Sequence, residues 1–143
     1  MKLFRWFFIA LILMLMSSVS QADNSKEYAD HIVYINAFPT DSLPPEMTKK
    51  YALKRSKNYA LVNVSVMEKG TGNPVGAKSQ VTGELKNLMG QSRTLEFREI
   101  KEGQAIYYIA QIGVQSKETV NFFITIKPDS NKEKYEMKFA KTF

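Results

Sequence analysis

The cations best suited to binding an anion or an acidic surface lie in one short segment. These side chains are Lys49, Lys50, Lys54, Arg55 and Lys57, and no acidic residue lies among them after Glu46. A phosphate, a carboxylate-bearing cell-wall fragment or the acidic face of a protein would be attracted to such a cluster. A solvated helix and loop without any ligand would have the same pattern. We therefore treat the five cations as candidate partner-binding residues.

Three carboxylates, Glu96, Glu99 and Glu102, lie close enough in sequence to suggest paired-carboxylate glycoside chemistry. Side chains alternate between the two faces of a strand, so Glu96 and Glu99 should point in opposite directions. Glu102 falls in a predicted turn. The spacing therefore argues against a catalytic pair.

The stretch from 91 to 111, QSRTLEFREIKEGQAIYYIAQ, is better explained as part of a sheet. If KEGQ is a four-residue loop, Arg98 lies opposite Tyr107 and Phe97 lies opposite Tyr108. Glu96, Arg98 and Tyr107 then form a candidate surface ladder, with a cation–π contact between Arg98 and Tyr107. The predicted core face of this hairpin contains Leu95, Phe97, Tyr108 and Ala110, with Arg93 and Glu99 on the same side near strand ends.

Thiol and imidazole catalysis have little support. The chain has no cysteine, and its one histidine, His31, begins a predicted strand. We expect His31 to be a surface or lightly buried residue rather than a general base. No Gly-x-Ser-x-Gly elbow accompanies it. We therefore predict no catalytic residue and a non-enzymatic protein.

Metal, cofactor and nucleic-acid binding are not predicted either. Exported copper proteins use Met and His ligands, but Met47, Met67, Met89 and Met137 show no Met-x-x-Met or His-x-Met spacing. We expect these methionines to pack in the core or in turns. The net charge of +6 is modest, and no nucleic-acid-binding motif is present.

The first 22 residues have the layout of a signal peptide. Lys2 and Arg5 precede an eleven-residue apolar run from Trp6 to Met16, and small residues follow up to Ala22. The run is shorter than the roughly 20 residues needed to cross a bilayer. We predict cleavage after Ala22, export to the periplasm and no membrane span afterwards. Residues 23–143 then form a single domain, whose charge falls from +6 to +4 when Lys2 and Arg5 are removed.

The mature chain is a series of runs rich in β-branched and aromatic residues, separated by turn formers. The pattern predicts seven strands, at 31–38, 59–67, 79–88, 93–100, 105–114, 119–127 and 134–143. Apolar residues alternate with polar ones, as in Val62, Val64 and Val66, which indicates antiparallel sheets with one buried face. We predict an all-β immunoglobulin-like sandwich. One short helix is expected near 44–53, capped by Asp41 or Ser42 and crossing one end of the sandwich.

Three segments of the chain resemble a known family. VYINAFPT, YALKRSKNYALVNVSV and NLMGQSRTLEFREIKEGQAIYYIA are similar to small exported proteins of Gram-negative bacteria catalogued as domain of unknown function 4426. The resemblance covers essentially all of the chain after residue 22. It implies a signal peptide followed by one small, mostly β domain, and it brings no reaction, ligand or catalytic residue.

Two functions remain open. The first is a non-enzymatic binding or accessory module of the cell envelope, which engages another envelope protein or an anionic ligand through a sheet edge or the basic segment. The second is a binder of a small ligand or cell-wall fragment in a pocket between the short helix and the end of the sandwich, with weak hydrolytic activity as an option. A pocket lined by Tyr28, Tyr34, Tyr51 and Tyr59 would favour the second. The sequence does not indicate an oligomeric state.

Overall fold

A computed structural model describes residues 24–70, 72 and 75–143, so the predicted signal peptide lies outside the described residues. Within these ranges the chain forms nine strands and one short α-helix. The strands are β1 (Ser25–Glu27), β2 (His31–Pro39), β3 (Tyr59–Glu68), β4 (Ser79–Asn87), β5 (Ser92–Leu95), β6 (Arg98–Glu102), β7 (Ala105–Gly113), β8 (Thr119–Pro128) and β9 (Tyr135–Thr142). The helix α1 spans Pro45–Lys50.

The strands form two antiparallel sheets. The five-stranded sheet has the order β1-β2-β3-β7-β6, and the four-stranded sheet has the order β5-β4-β8-β9. The all-β prediction is confirmed, and the two-sheet arrangement is compatible with an immunoglobulin-like sandwich.

The core lies between the facing surfaces of the two sheets. Val62, Val64 and Val66 of β3 are fully buried there, and Phe122 and Ile126 of β8 meet them from the other sheet. Fully burying a side chain of this kind contributes about 1.5–3 kcal/mol. The predicted period-two alternation therefore selects the correct core face of these strands.

The predicted strand 93–100 is two strands in the structure. β5 belongs to the four-stranded sheet and β6 to the five-stranded sheet, so Glu96 and Phe97 carry the chain from one sheet to the other. Leu95 is buried in the core and Phe97 packs against it, so both apolar residues keep their predicted face across the link. The short polar strand β1 is not predicted by the sequence pattern.

The predicted pairing in the next hairpin is wrong. Glu102 pairs with Ala105, so the loop has two residues rather than four. Gly103 has φ 58°, the left-handed conformation that two-residue hairpin loops require and glycine adopts most easily. As a result Arg98 pairs with Ile109, and Tyr107 pairs with Ile100.

The helix is shorter than predicted and begins differently. Pro44 is its N-cap and makes no side-chain cap, while Asp41 and Ser42 lie in a preceding 3-10 turn. With six residues, α1 is too short to cross a membrane, and no other described helix is long and apolar enough.

The polypeptide around α1, residues 40–57, is here called the strap. It packs on the outer surface of the five-stranded sheet, where Leu43 of the strap joins Leu61 and Ile109 in a second apolar cluster. These two sheet residues alternate with core-facing Val62 and Ala110, so they project away from the main core. The strap is therefore a partial third layer on one face of the sandwich.

Candidate functional site

The strap is closed on itself by a buried hydroxyl. Thr40 is fully buried, and its Oγ1 lies 2.7 Å from the carbonyl oxygen of Lys54 and 2.9 Å from that of Ser56. The same oxygen accepts a hydrogen bond from the backbone N–H of Ser56 at 3.1 Å. One side chain thus joins the two ends of the strap.

Two side chains of the sheet hold the strap in place. The amide of Gln111 accepts a hydrogen bond from the backbone N–H of Lys54 at 3.1 Å and donates one to its carbonyl oxygen at 2.7 Å. The guanidinium of Arg98 donates to the carbonyl oxygen of Tyr51, at the C-terminal end of α1. These contacts fix the position of the strap relative to β6 and β7.

Between the strap and the sheet lies a groove of about 210 Å³. Its lining is mostly apolar: Phe38 and Ile109 belong to the sheet, Met47 and Tyr51 belong to the strap, and Ile100 and Tyr107 close the β6 side. Met47 is 41% exposed, so the groove opens beside it to solvent. We call this cavity the groove and take it as the candidate functional site.

One polar atom in the groove lacks a partner. Asn63 lines the groove, and its Oδ1 is buried without a hydrogen-bond partner among the described residues. A buried unsatisfied acceptor costs about 1–3 kcal/mol, and most such atoms in folded proteins are paired. Because the oxygen itself is buried, this cost falls on the stability of the free protein.

The charged rim of the groove is already paired. The carboxylate of Glu102 accepts hydrogen bonds from the Tyr51 hydroxyl and from Lys50 Nζ, the latter at 2.5 Å. Glu102 also lines the groove. Because Lys50 neutralises it, the groove presents no free charge on its described lining.

The five predicted partner-binding cations have different contacts. Arg55 donates to the carbonyl oxygens of Leu43 at 2.9 Å and Asp41 at 2.8 Å, which is a structural role within the strap. Lys50 is paired with Glu102, and Lys54 Nζ lies 5.3 Å from the centre of the Tyr59 ring. Lys49 and Lys57 are exposed and make no ion pair in the described part of the chain. Partner binding by these cations stays a prediction.

The predicted surface ladder is also divided. Glu96 is exposed in the link between the sheets, Arg98 holds the strap, and Tyr107 lines the groove. The predicted Arg98–Tyr107 pair is replaced by the pairs of Arg98 with Ile109 and Tyr107 with Ile100. The cause is the two-residue loop, which shifts the register of β6 against β7.

The carboxylates of this region have separate partners. Glu99 accepts a hydrogen bond from the Tyr108 hydroxyl at 3.2 Å, and Glu102 is bound at the rim of the groove. Burial, assisted by the negative charge of Glu99, raises the pKa of Tyr108 to about 12. In residues 24–70, 72 and 75–143, no group of three or more His, Asp or Glu side chains is arranged to hold a metal ion.

The lone histidine is more buried than expected. His31 is 3% exposed, with Nδ1 2.9 Å from the Tyr135 hydroxyl and Nε2 3.3 Å from Ser130 Oγ. Tyr28 stacks on Tyr135 with 3.8 Å between the ring centres. Burial raises the pKa of Tyr28, and the nearby Tyr135 and Glu136 add to this effect. The expectation of a surface or lightly buried residue is therefore wrong, because the turn after β8 and the Tyr135 ring of β9 cover the imidazole.

The four tyrosines proposed to line one pocket are dispersed. Tyr28 stacks on Tyr135, Tyr34 is exposed on β2, and Tyr51 lines the groove. Tyr59 lines a different cavity, an open cleft of about 710 Å³ formed by the loops at one end of the sandwich.

A pocket beside the short helix was expected at the end of the sandwich, whereas the groove lies on the outer face of the five-stranded sheet, which the sequence reasoning missed. Its signal is present in β3 and β7, where Leu61, Tyr107 and Ile109 add apolar residues to the face opposite the core. Such near-continuous apolar runs indicate strands that are covered on both sides. The unpaired state of Asn63 has no sequence signal, because it depends on what the strap leaves uncovered.

Comparison with known proteins agrees with this fold. The family model for DUF4426, a domain of unknown function, matches residues 25–143. The crystal structure of a DUF4426 family protein from Pseudomonas aeruginosa PAO1 is 31% identical, covers 87% of this chain and 96% of that one, and gives a TM-score of 0.72. A comparison with curated proteins gives no match.

More distant structures share the fold alone. A copper-bound variant of FetP from uropathogenic Escherichia coli strain F11 is 11% identical, covers 85% of this chain and 95% of that one, and has a TM-score of 0.59. FetP of the same strain as isolated, expressed in the E. coli periplasm, is also 11% identical, with coverage of 83% and 91% and a TM-score of 0.59. From the match over residues 25–143 and the similarity to the P. aeruginosa protein, we conclude that the chain belongs to the DUF4426 family.

Proposed function

We propose that this protein is a non-enzymatic binding module of the bacterial cell envelope that recognises another envelope protein through the groove. The observation that carries the proposal is the groove itself, which is lined mostly by apolar side chains and opens to solvent beside the exposed Met47. A mostly apolar groove that is open to solvent is suited to recognition. It offers none of the coupled titratable groups that acid–base or nucleophilic catalysis needs.

The envelope location rests on the N-terminal pattern. Two cations, an apolar run of eleven residues and a small-residue site precede the domain. The family match begins at residue 25, just after the proposed cleavage site. The mass of the protein isolated from the periplasm should correspond to an N-terminus at Asp23. Recovery of the uncleaved chain from the cytoplasm would contradict the proposed location.

The partner can be sought by photo-crosslinking in envelope extracts. A photo-reactive residue at Met47 lies at the mouth of the groove, and one at Lys138 lies on the exposed surface of β9 in the other sheet. We expect one discrete protein to be captured from Met47 and not from Lys138. Equal capture from both positions, or capture from neither, would contradict recognition through the groove.

Two matched substitutions in this chain are then compared in a direct binding assay with the captured protein. Met47→Glu places a charge at the exposed mouth of the groove and should weaken binding at least about tenfold, because the carboxylate must be desolvated. Leu88→Glu changes an even more exposed apolar side chain at the tip of the β4–β5 hairpin and should leave the affinity unchanged. If Leu88→Glu weakened binding and Met47→Glu did not, the interface would lie at the β4–β5 hairpin, which would overturn the proposal.

A small ligand in the cleft is the second candidate. The cleft of about 710 Å³ falls within the size range of small-molecule sites, and Arg93 and Lys117 on its lining are suited to an anionic cell-wall fragment. Titration of the labelled protein with anionic cell-wall fragments should shift the NMR signals of Tyr59, Arg93 and Lys117 if this function is correct. Absence of shifts at millimolar fragment would rule it out.

A further inference from the structure

We infer that the protein associates with a second copy of itself through β9, which forms an antiparallel pair with the same strand of the other copy across a twofold axis at Met137. The two four-stranded sheets then become one continuous sheet. This association uses a different surface from the groove and does not depend on the proposed function.

β9 is the longest of the four strands at the edges of the two described sheets. The other three edge strands, β1, β5 and β6, have three, four and five residues, whereas β9 has eight. Proteins often keep edge strands short, bulged or interrupted by proline, because an exposed edge offers unpaired backbone groups to another chain. β9 contains no proline, and its pairing with β8 is continuous. Its outer edge is therefore suited to accept a further strand.

Every second residue of β9 directs its backbone groups to this edge. Phe143 donates its N–H to the carbonyl oxygen of Glu118 at 3.0 Å, in register with the pairs of β8 and β9. Alternate residues of an antiparallel strand bond to the same neighbour, so the odd-numbered residues of β9 bond to β8. The backbone groups of the even-numbered Glu136 and Lys138 point away from β8. Accordingly, the carbonyl oxygen of Glu136 accepts a long hydrogen bond, 3.4 Å, from the Tyr28 hydroxyl of the other sheet's edge.

The charges along the strand are antisymmetric about Met137. Each carboxylate before Met137 has a cation at the same distance after it: Glu136 is matched by Lys138, and Glu133 by Lys141. All four charged side chains are exposed and make no ion pair within the described ranges of the chain. A twofold axis at Met137 brings each carboxylate opposite the matching cation of the other copy. Such self-complementarity is what an interface between identical subunits requires.

Backbone parity and charge together favour this register over its neighbours. Backbone groups that point to the edge must meet one another, so even-numbered residues pair with even-numbered residues. With the axis at Met137, Glu136 lies opposite Lys138 twice. An axis at Lys138 would bring two lysines together, and an axis at Glu136 would bring two glutamates together. Like charges directly opposite each other destabilise a sheet.

The inner side of β9 offers apolar contacts in the same register. Met137 and Phe139 are only partly buried at the margin of the core, and both line a cavity of about 250 Å³ between β1 and β9. In the twofold pair, Met137 lies opposite Met137 of the other copy, and Phe139 lies opposite the other copy's Tyr135. Aromatic pairs directly opposite each other stabilise a sheet.

Charge reversal on β9 tests the pairing. We expect sedimentation equilibrium to find the mature wild-type chain dimeric at submillimolar concentration. Glu136→Lys and Lys138→Glu each place two pairs of like charges across the axis, so each should raise the dissociation constant at least about tenfold. The double variant restores opposite charges in the reverse order, and its dissociation constant should return to within about threefold of the wild type.

Glu84 and Lys86 provide the matched control. They have the same spacing as Glu136 and Lys138 and lie on the outer face of the same sheet, but their strand β4 is enclosed between β5 and β8. Glu84→Lys and Lys86→Glu should therefore leave the dissociation constant of the dimer unchanged.

Backbone amide exchange gives an independent readout. The N–H groups of Glu136 and Lys138 gain partners in the dimer, whereas those of Met137 and Phe139 already bond to β8. Exchange of the first pair should slow as the protein concentration rises, and exchange of the second pair should stay constant. A photo-reactive residue at Lys138 should for the same reason join the chain to its own copy, a product distinct from the partner protein captured at Met47.

Three results would overturn the inference. The first is a wild-type chain that stays monomeric at submillimolar concentration, or a dimer that neither single reversal weakens. The second is a double variant that has the wild-type amide spectrum but does not recover dimerisation, since Glu136 would then not face Lys138. The third is slower exchange of Glu136 and Lys138 only after the partner captured at Met47 is added, which would assign the edge to a different protein.

Discussion

Asn63 is a residue that lowers the stability of the free protein. Its neighbours in the groove are mostly apolar, and its Oδ1 makes no hydrogen bond among the described residues. The opposite face of the same strand, by contrast, consists of fully buried valines. A chain selected for stability alone would be better served by an apolar residue at position 63.

We expect Asn63→Leu to raise the free energy of unfolding by about 1–3 kcal/mol, because it removes an unsatisfied buried acceptor. Urea denaturation of the mature chain without any partner measures the change. Asn36→Leu, at the exposed position opposite, should change stability by less than about 0.5 kcal/mol. A loss of stability in Asn63→Leu would show that the amide has a structural role in the free protein.

Tyr108 illustrates the opposite case, a polar group that is fully used. Its hydroxyl accepts the backbone N–H of Ser79 at 2.7 Å and donates to Glu99 at 3.2 Å. We expect Tyr108→Phe to destabilise the protein by about 1–2 kcal/mol at neutral pH, since both partners lose a hydrogen bond. Tyr34→Phe, which removes an exposed hydroxyl, is the control.

The destabilisation in Tyr108→Phe should depend on pH. The pKa of Tyr108 is raised from 10.0 to about 12 by burial, so between these values the unfolded chain releases the proton while the folded chain keeps it. Stability contributed by this group is therefore complete below pH 10 and is lost as the pH rises towards 12. The difference in unfolding free energy between wild type and variant should narrow over this interval. A constant difference would contradict the raised pKa.

At the scale of elements, the strap is the part of the fold that shapes the site. Only six of its residues are α-helical, so its position depends on side-chain hydrogen bonds more than on regular structure. Thr40 joins its ends, while Gln111 and Arg98 fix it to the sheet. The groove exists because these contacts hold the strap against the outer face without filling the space above Asn63.

Thr40→Val tests this dependence. Valine has nearly the same shape but leaves the Ser56 N–H and the Lys54 carbonyl oxygen without the hydroxyl, so we expect a loss of about 1–3 kcal/mol. Hydrogen exchange at the Ser56 amide should accelerate more than exchange in β8. Uniform acceleration in both places would show that the hydroxyl supports the whole fold rather than the strap.

The close approach of Gly76 to β7 leaves no room for a side chain at position 76. A Cβ at this position would lie 2.6 Å from the backbone nitrogen of Ile106 and 3.0 Å from the carbonyl oxygen of Gln104. We expect Gly76→Ala to destabilise the protein by about 1–3 kcal/mol in thermal unfolding, because β7 would have to move. In Gly113→Ala the nearest atom to the Cβ is Arg93 Nη1 at 3.9 Å, so that variant should unfold close to the wild type.

The sequence predicted the elements better than their connections. Alternation in β3 and β8 identified the buried valines and Phe122 because a strand facing one core must place apolar residues at every second position. The sequence could not show that the chain changes sheets at Glu96 and Phe97, because Leu95 and Phe97 both face the core and the apolar alternation continues through the link. The loop at Gly103 was misjudged because glycine alone does not specify loop length.

At the scale of the whole molecule, the similarity to copper-bound FetP is a similarity of fold, and it does not identify metal ligands in this chain. Both ring nitrogens of His31 lie within hydrogen-bonding distance of hydroxyl groups, and Met47 and Met89 are exposed at separate places. The placement of a lone histidine depends on the turn after β8, which packs on it from a distant part of the sequence. For this reason the sequence could not predict its burial.

We expect no uptake when the mature domain is titrated with micromolar copper. Isothermal titration calorimetry and the near-ultraviolet spectrum provide independent readouts. Stoichiometric binding that disappears in His31→Gln would contradict the expectation and place a ligand at the buried imidazole.

The two-residue link at Glu96 and Phe97 also bears on the order in which the protein folds. It joins the β4–β5 hairpin to the β6–β7 hairpin. The two hairpins are adjacent in the sequence, but the first belongs to the four-stranded sheet and the second to the five-stranded sheet. Isolated hairpins close in about 1–10 μs, whereas pairings between distant residues, such as Val62 with Ala110, are much slower. The middle of the chain should therefore form first, as a hinged pair of hairpins on which both sheets are later extended. Pulse-labelling hydrogen exchange during refolding should find the amides of these hairpins protected before those of β3, whose partners β2 and β7 are distant in the sequence.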